Sequence, residues 1–365
     1  ELGMGERLVR EKPVRGERMI GDNPVYPFSA IVGQEGMKDA LLANVVFPSI
    51  GGVLIRGEKG TAKSTTVRAL ADLLPERDVM AGCIFRCSPG DIRNLCDSCR
   101  ERIAGDARPE TVPARMRVVE LPLCATEDRV AGTLDIEHAI TRGIKKFEPG
   151  VLASANGNIL YVDEVNLLDD HIVDLLLDAA AMGVNFVERE GISYSHPARF
   201  LLVGTMNPEE GDLRPQLLDR FGLVVDVEGE KDSTLRSEVV KRRLTFERDP
   251  AAFAKQYEPQ QQALRERLLA ARELVTGMNP DDLLIETAVK ISLALGVDGH
   301  RSDLTLVKTS LAFAALDGVR MVQRKHVEKA AGLALPHRMR RQPFEESRVD
   351  AGAVRTLIAE CYGNS

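Results

Sequence analysis

The chain has 365 residues, of which 44% are hydrophobic and 28% charged. That composition is ordinary for a globular protein and excludes collagen-like, mucin-like and wholly disordered chains, and at roughly 100–200 residues per domain the length suggests about two domains. The 48 Lys and Arg against 55 Asp and Glu leave a formal net charge of −7, which argues against general electrostatic binding of nucleic acid.

Residues 1–25 are polar, rich in Gly and Arg and without periodicity, and are expected to form a flexible arm. The opening ELGMGERLVREKPVRGERM has no apolar stretch of the kind a secretory signal needs. No apolar run approaches the roughly 20 residues that cross a bilayer. The expected location is therefore the cytoplasm, where the six cysteines would be reduced thiols rather than disulfides.

From residue 28 to 227 short apolar runs alternate with amphipathic segments, the signature of an α/β fold with a parallel sheet. Buried strands are expected at 53–55, 159–162, 200–203 and 223–225, with a fifth at 118–121. Helices are expected at 65–74 and 171–182, the second stopped by Gly183. The alternation around Glu190-Gly191 predicts a β-hairpin. Beyond Ser233 strands give way to helical spacing at 258–277, 282–295, 303–317 and 324–335, so a separate all-helical region is expected after a junction near 228–230.

Gly57-Glu58-Lys59-Gly60-Thr61-Ala62-Lys63-Ser64 lies between the first strand and a helix that continues through Thr65. This is the context of a phosphate-binding loop. Backbone N–H groups at the helix start would face the phosphates, Lys63 would supply a mobile positive charge, and the Ser64 hydroxyl could ligate Mg²⁺. Ala62 stands where glycine is usual; its methyl is tolerable only if φ stays negative and no phosphate oxygen needs the space, and binding is expected to survive, with altered affinity or slower turnover as the risk.

The run 159–162 ends in Asp163-Glu164. After a phosphate loop, an apolar strand ending in two carboxylates reads as a Walker B element. Asp163 would hold the Mg²⁺ water shell and Glu164 would polarise the attacking water. Asn207 sits at the next strand end and could bond the water or the γ-phosphate, or simply form a turn before Pro208. Arg220, with Arg214 second, is placed where a ring ATPase offers a finger to its neighbour's γ-phosphate. Arg301, at the start of a helix in the C-terminal region, could reach back to the phosphates.

Cys83, Cys87, Cys96 and Cys99 follow the spacing C-x3-C-x8-C-x2-C within 17 residues. Four such thiolates can make a tetrahedral zinc site or hold an iron–sulfur cluster. Reduced loop thiols or a redox-sensing pair are the other readings. Cys124 and Cys361 read as ordinary thiols. His171, His196 and His326 lack ligand spacing and are expected at the surface or in the hairpin. Arg338, Arg340 and Arg341 form a basic helix end suited to the dipole.

Longer stretches carry a family resemblance. FSAIVGQ (28–34), LPL-C-ATEDRV (121–130), FEPGVL (147–152), YVDEVNLL (161–168), NPEEGDLRPQLLDRFG (207–222) and HRSDL (300–304) closely resemble the ATPase I subunit of magnesium chelatase, of the AAA+ superfamily, over about residues 26–345. The resemblance implies an AAA+ P-loop NTPase core, a parallel five-stranded sheet between helices over 26–230, with a C-terminal helical lid over 231–365. It implies ATP and Mg²⁺ as cofactors, with Ile31 and Val32 lining the adenine pocket. Asn207 is similar to sensor 1, Arg220 to the arginine finger and Arg301 to sensor 2. Residues 125–150 resemble the family's insertion into helix 2, and 185–196 its presensor hairpin. It further implies hexameric rings, an AAA+ partner with an integrin-like domain, and a large porphyrin-binding subunit that inserts Mg²⁺, or Co²⁺ in relatives acting on corrinoids. Cys124 replaces the family's usual glycine before ATEDR. Two other activities are weighed beside this one: a MoxR-like ATPase that remodels a protein partner, and an assembly module that binds ATP but barely turns it over.

Overall fold

The computed structural model describes residues 24–105, 109–135, 146–189, 192–297, 299–339 and 351–362. The arm expected at 1–25 lies almost wholly outside them, as do Arg340 and Arg341 and residues 136–145 of the insertion expected at 125–150.

Five strands form one parallel sheet. They are β1 (Val53–Gly57), β4 (Val118–Glu120), β7 (Ile159–Val162), β10 (Leu201–Met206) and β11 (Leu223–Val227), in the order β11-β1-β10-β7-β4. The apolar runs behave as buried parallel strands do: Val53, Leu54 and Ile55 are fully buried, as are Ile159, Leu160 and Val162. Register fixes the strand ends. Leu54 pairs with Gly204 and Gly204 with Val162, so the residues that follow β1, β7 and β10 emerge side by side at one edge. In open α/β sheets that carboxyl edge is where ligands bind.

Helices cover both faces. On one side α1 (Glu35–Val46) and α2 (Lys63–Leu73) share an apolar cluster with Val53, Ile55, Val203 and Val225. On the other, α6 (Asp170–Met182) packs Ile172, Val173 and Leu176 against Leu54, Leu160 and Leu202. Three two-stranded hairpins project from this core. The first pairs β2 (Arg77–Met80) with β3 (Thr111–Ala114) and carries α3 (Asp97–Ala104). The second pairs β5 (Gly132–Asp135) with β6 (Lys146–Pro149), and the third β8 (Val184–Arg189) with β9 (Ile192–Pro197). Between them lie α4 (Glu127–Ala131) and α5 (Val151–Ala155).

After the short α7 (Pro215–Leu218) and β11, only helices follow: α8 (Ser233–Arg248), α9 (Pro250–Thr276), α10 (Asp282–Ala294), α11 (Arg301–Leu316), α12 (Arg324–Ala334) and α13 (Ala351–Tyr362). The helix expected from 258 begins at Pro250, because Asp249 caps it by accepting from the Ala252 amide at 3.0 Å, and Pro259 lies inside it. The helices do not stand apart from the sheet. Leu268, Leu306 and Val327 join Met37 and Leu41 of α1 in one apolar cluster.

Two expectations are corrected here. His326, expected at the surface or in the hairpin, is buried in α12 at 2% exposure; His196 lies in the β8–β9 hairpin as expected, and is buried there at 1% exposure. His196 Nε2 meets the Asn185 amide at 3.0 Å, and His326 Nε2 lies 3.2 Å from Asp317. Arg338 is more than a basic helix end. It is buried, and it bonds the carbonyls of Asp219, Phe221 and Gly222 as well as that of Ala334 in the last turn of α12. It therefore clamps the turn that leads from α7 into β11.

Candidate nucleotide-binding site

A cavity of about 610 Å³ opens beyond the carboxyl ends of β1, β7 and β10, within the size range of small-molecule sites. Lys59, Gly60, Thr61, Ala62, Lys63, Ser64 and Thr65 line it, with Asp163, Glu164 and Asn207 opposite. The phosphate loop, the paired carboxylates and the strand-end asparagine, far apart in sequence, meet around one space.

The loop is shaped by close backbone approach. A Cβ on Gly57 would lie 2.1 Å from the Val227 carbonyl oxygen, so only glycine lets β1 end against β11. Thr61 Oγ1 donates to the Glu58 carbonyl at 2.9 Å. Lys63 opens α2, and its ammonium donates to the carbonyls of Gly57 at 2.7 Å and Glu58 at 2.8 Å, which ties the loop back on itself. Burial pulls the Lys63 pKa below its ordinary value, against the opposing pull of Asp163. The expectation that Ala62 keeps a negative φ fails: Ala62 has φ 60° and ψ 19°, left-handed backbone at the N-cap of α2. The turn needs that conformation to aim the following amides into the cavity, and the methyl is carried there at a cost.

Two side chains, Thr205 and Tyr161, set the carboxylates. Asp163 Oδ1 accepts from Thr205 Oγ1 at 2.5 Å and from the Tyr161 hydroxyl at 3.0 Å. The Thr205 hydroxyl in turn accepts from the Glu164 amide at 3.2 Å. Burial of Tyr161, first of all, raises its pKa, so it remains a donor. Glu164 itself has φ 53°, in the left-handed region that non-glycine residues seldom adopt, a kind of strain that persists where surrounding structure over-determines it.

Lys59 joins the loop to both acidic segments. Its ammonium lies 3.1 Å from Glu164 and 2.8 Å from Glu210, and these contacts, Glu210 first, push its pKa up to about 12. Asn207 is 7% exposed, and its Oδ1 accepts from the Glu209 amide at 3.3 Å. It lines the cavity and forms the turn before Pro208 at once. At the other end Ile31 and Val32 face Tyr26, Val239 and Arg243, an apolar and aromatic lining suited to a planar base. Sequence reasoning missed Lys59, Tyr161, Thr205, Tyr26, Val239 and Arg243. Tyr161 and Thr205 carried the clearest signal, as polar residues within apolar strand runs.

The three arginines are elsewhere. Arg220 pairs with Asp174 and Asp178, and Arg214 with Asp170 at 2.5 Å. Those aspartates form an i, i+4, i+8 stripe along α6. Arg301 meets Asp219 at 2.9 Å. None of the three lines the cavity; Arg301 sits with the segment that carries Arg220. The cysteines do converge: the sulfurs of Cys83, Cys87, Cys96 and Cys99 all lie within 4.8 Å of one another. Cys124 and Cys361 are not among them.

Asp163 and Ser64 offer oxygen ligands at the loop, the donor set a hard cation takes. Among the described residues no helix is long and apolar enough to cross a membrane.

The chain is similar to known proteins over most of its length. Residues 134–216 match the family model of magnesium chelatase, subunit ChlI, and residues 285–357 that of the AAA lid domain. The chain is 57% identical over 336 residues to the magnesium-chelatase subunit ChlI homolog of Methanocaldococcus jannaschii, covering 92% of this chain and 91% of that one. It is 50% identical to the magnesium-chelatase 38 kDa subunit of Acidiphilium rubrum, over 92% and 97%. Among solved structures it is similar to a chain of the complex between subunits BchI and BchD of magnesium chelatase, at 51% identity and TM-score 0.52, over 87% and 97%. A putative ATPase from Cytophaga hutchinsonii, 16% identical with TM-score 0.59 over 91% of each chain, shares the fold. The chain belongs to the magnesium-chelatase subunit ChlI family of AAA+ proteins, a family that implies ATP and Mg²⁺.

Proposed function

We propose that this chain is the ATP-hydrolysing motor subunit of a metal chelatase. It would work as a hexameric ring beside a second AAA+ subunit and drive insertion of Mg²⁺, or Co²⁺, into a tetrapyrrole held by a large partner subunit. The observation that carries the reading is the meeting of Lys63, Asp163 and Glu164 around one cavity at the sheet's carboxyl edge.

The chemistry follows from the residues. The base lies between Ile31, Val32 and Tyr26, and the triphosphate runs over the amides of 60–65. Lys63 exchanges its two carbonyl partners for phosphate oxygens. Ser64 and Asp163 would hold Mg²⁺, which supplies charge compensation on the phosphates. Glu164, released from Lys59, accepts a hydrogen bond from the attacking water, and Asn207 aligns it. Arg220 stabilises the transition state in the neighbouring protomer's site. Arg301 stands beside the same turn, so its reach is toward that neighbour rather than toward its own loop.

The test is steady-state ATPase of the assembled ring with Glu164→Gln as control, followed by ATP-dependent metal insertion with the large subunit and Mg²⁺ and Co²⁺ in parallel. Wild type should exceed the variant by about 10²-fold or more. Equal, slow hydrolysis by both would defeat the motor reading.

A further inference from the structure

The four cysteines come from two short segments. Cys83 and Cys87 flank a tight turn directly after β2: the Cys83 amide donates to Met80 O at 3.2 Å, the Arg86 amide to Cys83 O at 3.1 Å, and the Met80 amide to Cys87 O at 2.9 Å. Arg86 takes φ 49° to close it. Cys96 and Cys99 lie one turn apart at the start of α3, where Cys96 is the N-cap. The Cys96 amide donates to Cys87 Sγ at 3.3 Å, which links the two segments.

The spacing of the sulfurs selects among the possible chemistries. Cys83 and Cys96 Sγ are 3.8 Å apart, and no pair exceeds 4.8 Å. A tetrahedron with metal–sulfur bonds of about 2.3 Å has sulfurs about 3.8 Å apart. A disulfide would bring two of them to about 2.05 Å. A four-iron cubane places an iron beneath each sulfur and spreads them well beyond this set. Cys87, Cys96 and Cys99 are 1%, 7% and 1% exposed, and Cys83 is half-buried. The insert has only a small apolar cluster to hold it: besides the cysteines it consists of Met80, Phe85, Leu95, Ile103 and, from outside the insert, Ala153, Phe147 and Tyr194. Segments with so small a core are commonly ordered by a structural metal.

We propose that Cys83, Cys87, Cys96 and Cys99 bind one zinc ion as a closed structural site that fixes the 81–104 insert against the two hairpins beside it. On binding, four thiols release four protons to solvent, four sulfur–zinc bonds form, and no electron is transferred. The site matters to the rest of the chain through Phe85, two residues before Cys87. Its ring stacks on His196 at 4.8 Å and lies 6.1 Å from Phe147, which stacks on Tyr194 at 4.5 Å. Its carbonyl accepts from Asn156 Nδ2 at 2.7 Å. Zinc thus pins one aromatic that touches both the β5–β6 and the β8–β9 hairpins.

The full chain, purified anaerobically with reductant, should contain one equivalent of zinc by elemental analysis. Only Cys124 and Cys361 should react with a thiol reagent until a mercurial releases the metal, when all six cysteines should react. Replacement of zinc by Co²⁺ should give the charge-transfer and ligand-field bands of a tetrahedral tetrathiolate. Cys83→Ser and Cys99→Ser should each lose the metal; should those variants fail to fold, the wild-type zinc content and Co²⁺ spectrum still decide the matter. Chelation should speed amide exchange in 192–197 and 146–149 by roughly tenfold or more. Zinc well below one equivalent with six reactive thiols, or iron in its place, would overturn the site, and unchanged exchange after metal removal would overturn its role in positioning the hairpins. Lys63→Ala should keep its zinc, so the outcome is independent of whether the chain hydrolyses ATP.

Discussion

Replacing Ala62 by glycine tests the backbone of the phosphate loop directly. Ala62 is held at φ 60° and ψ 19°, where an L-residue with a Cβ pays roughly 1–2 kcal/mol. Glycine removes that penalty but adds freedom to the unfolded chain, which costs roughly 0.4–1 kcal/mol. The side chain is exposed, so no cavity term enters. The balance favours Ala62→Gly by about 0.5–1 kcal/mol, or about 1–3 °C in Tm for a chain of this size. The assay is matched denaturation of both proteins without nucleotide, by heat and by urea. The amides of 60–65 keep the same directions, so ATP affinity, read in parallel with a fluorescent analogue, should move less than about threefold, or ~0.6 kcal/mol. A variant that is no more stable than wild type, or less so, would show that the loop is unstrained at this position and would refute the reasoning.

Lys63→Ala should abolish ATP binding in the same fluorescence titration, because it removes the ammonium that the loop carbonyls of Gly57 and Glu58 hold at the start of α2; retained affinity would place the phosphates elsewhere. Thr205→Val should leave nucleotide binding within a few-fold and lower turnover by about 10-fold or more, since Asp163 and the Glu164 amide both lose their hydroxyl partner; unaltered turnover would mean the hydroxyl positions nothing. Arg220→Ala should bind ATP normally and fail to hydrolyse it in the assembled ring, with little loss of stability, because Asp174 and Asp178 are half-exposed; normal hydrolysis would move the finger to Arg214. Acid should destabilise the fold through His337, whose ring donates to Phe221 O at 3.1 Å and whose pKa is held well below the usual value by burial first and by Arg338 next. A folded-state pKa below the unfolded one means that the unfolded chain binds the proton first. Stability is therefore full above about pH 6.5 and falls below it, and His337→Gln should flatten that slope in denaturation series from pH 7 to 5.

What was legible in the sequence was whatever had to be dry or had to turn sharply. The runs at 53–55 and 159–162 have no polar side, so only a strand buried on both faces satisfies them, and the acidic or glycine-rich residues that follow mark their carboxyl ends. The β2–β3 hairpin was not legible: Arg77–Met80 and Thr111–Ala114 are four residues each, without a sustained apolar run, and separated by the whole cysteine insert. Helix α8 buries no residue at all, so it carries no apolar stripe to read. Thr205 becomes part of the site only when β10 pairs with β7 in register, since its sequence neighbourhood does not name Asp163 as the partner; Tyr161, two residues before Asp163, was the more legible of the two. His326 misled for the opposite reason, a polar residue that is buried against Asp317. His196 and His326 lack ligand spacing because their partners, Asn185 and Asp317, serve packing and hydrogen bonding rather than a metal.

The placement of the arginines bears on why the proposed motor would need its neighbours. On the proposed reading the residues that hold the triphosphate lie in one protomer, whereas Arg220, Arg214 and Arg301 are all paired with carboxylates of their own chain. Arg220 is 26% exposed and is gripped by two aspartates of α6. A bidentate guanidinium loses little by exchanging two carboxylates for the oxygens of a phosphoryl group in flight, because both are planar-fork partners of similar charge. Asp174 and Asp178 are then a holding position: they keep the Arg220 guanidinium extended and oriented along α6, so that little side-chain entropy is lost when a neighbour's nucleotide arrives. On this reading a lone protomer binds ATP without cleaving it, and the coupling between hydrolysis and movement of one protomer against the next resides in the transfer of Arg220 from its own helix to the phosphate beside it.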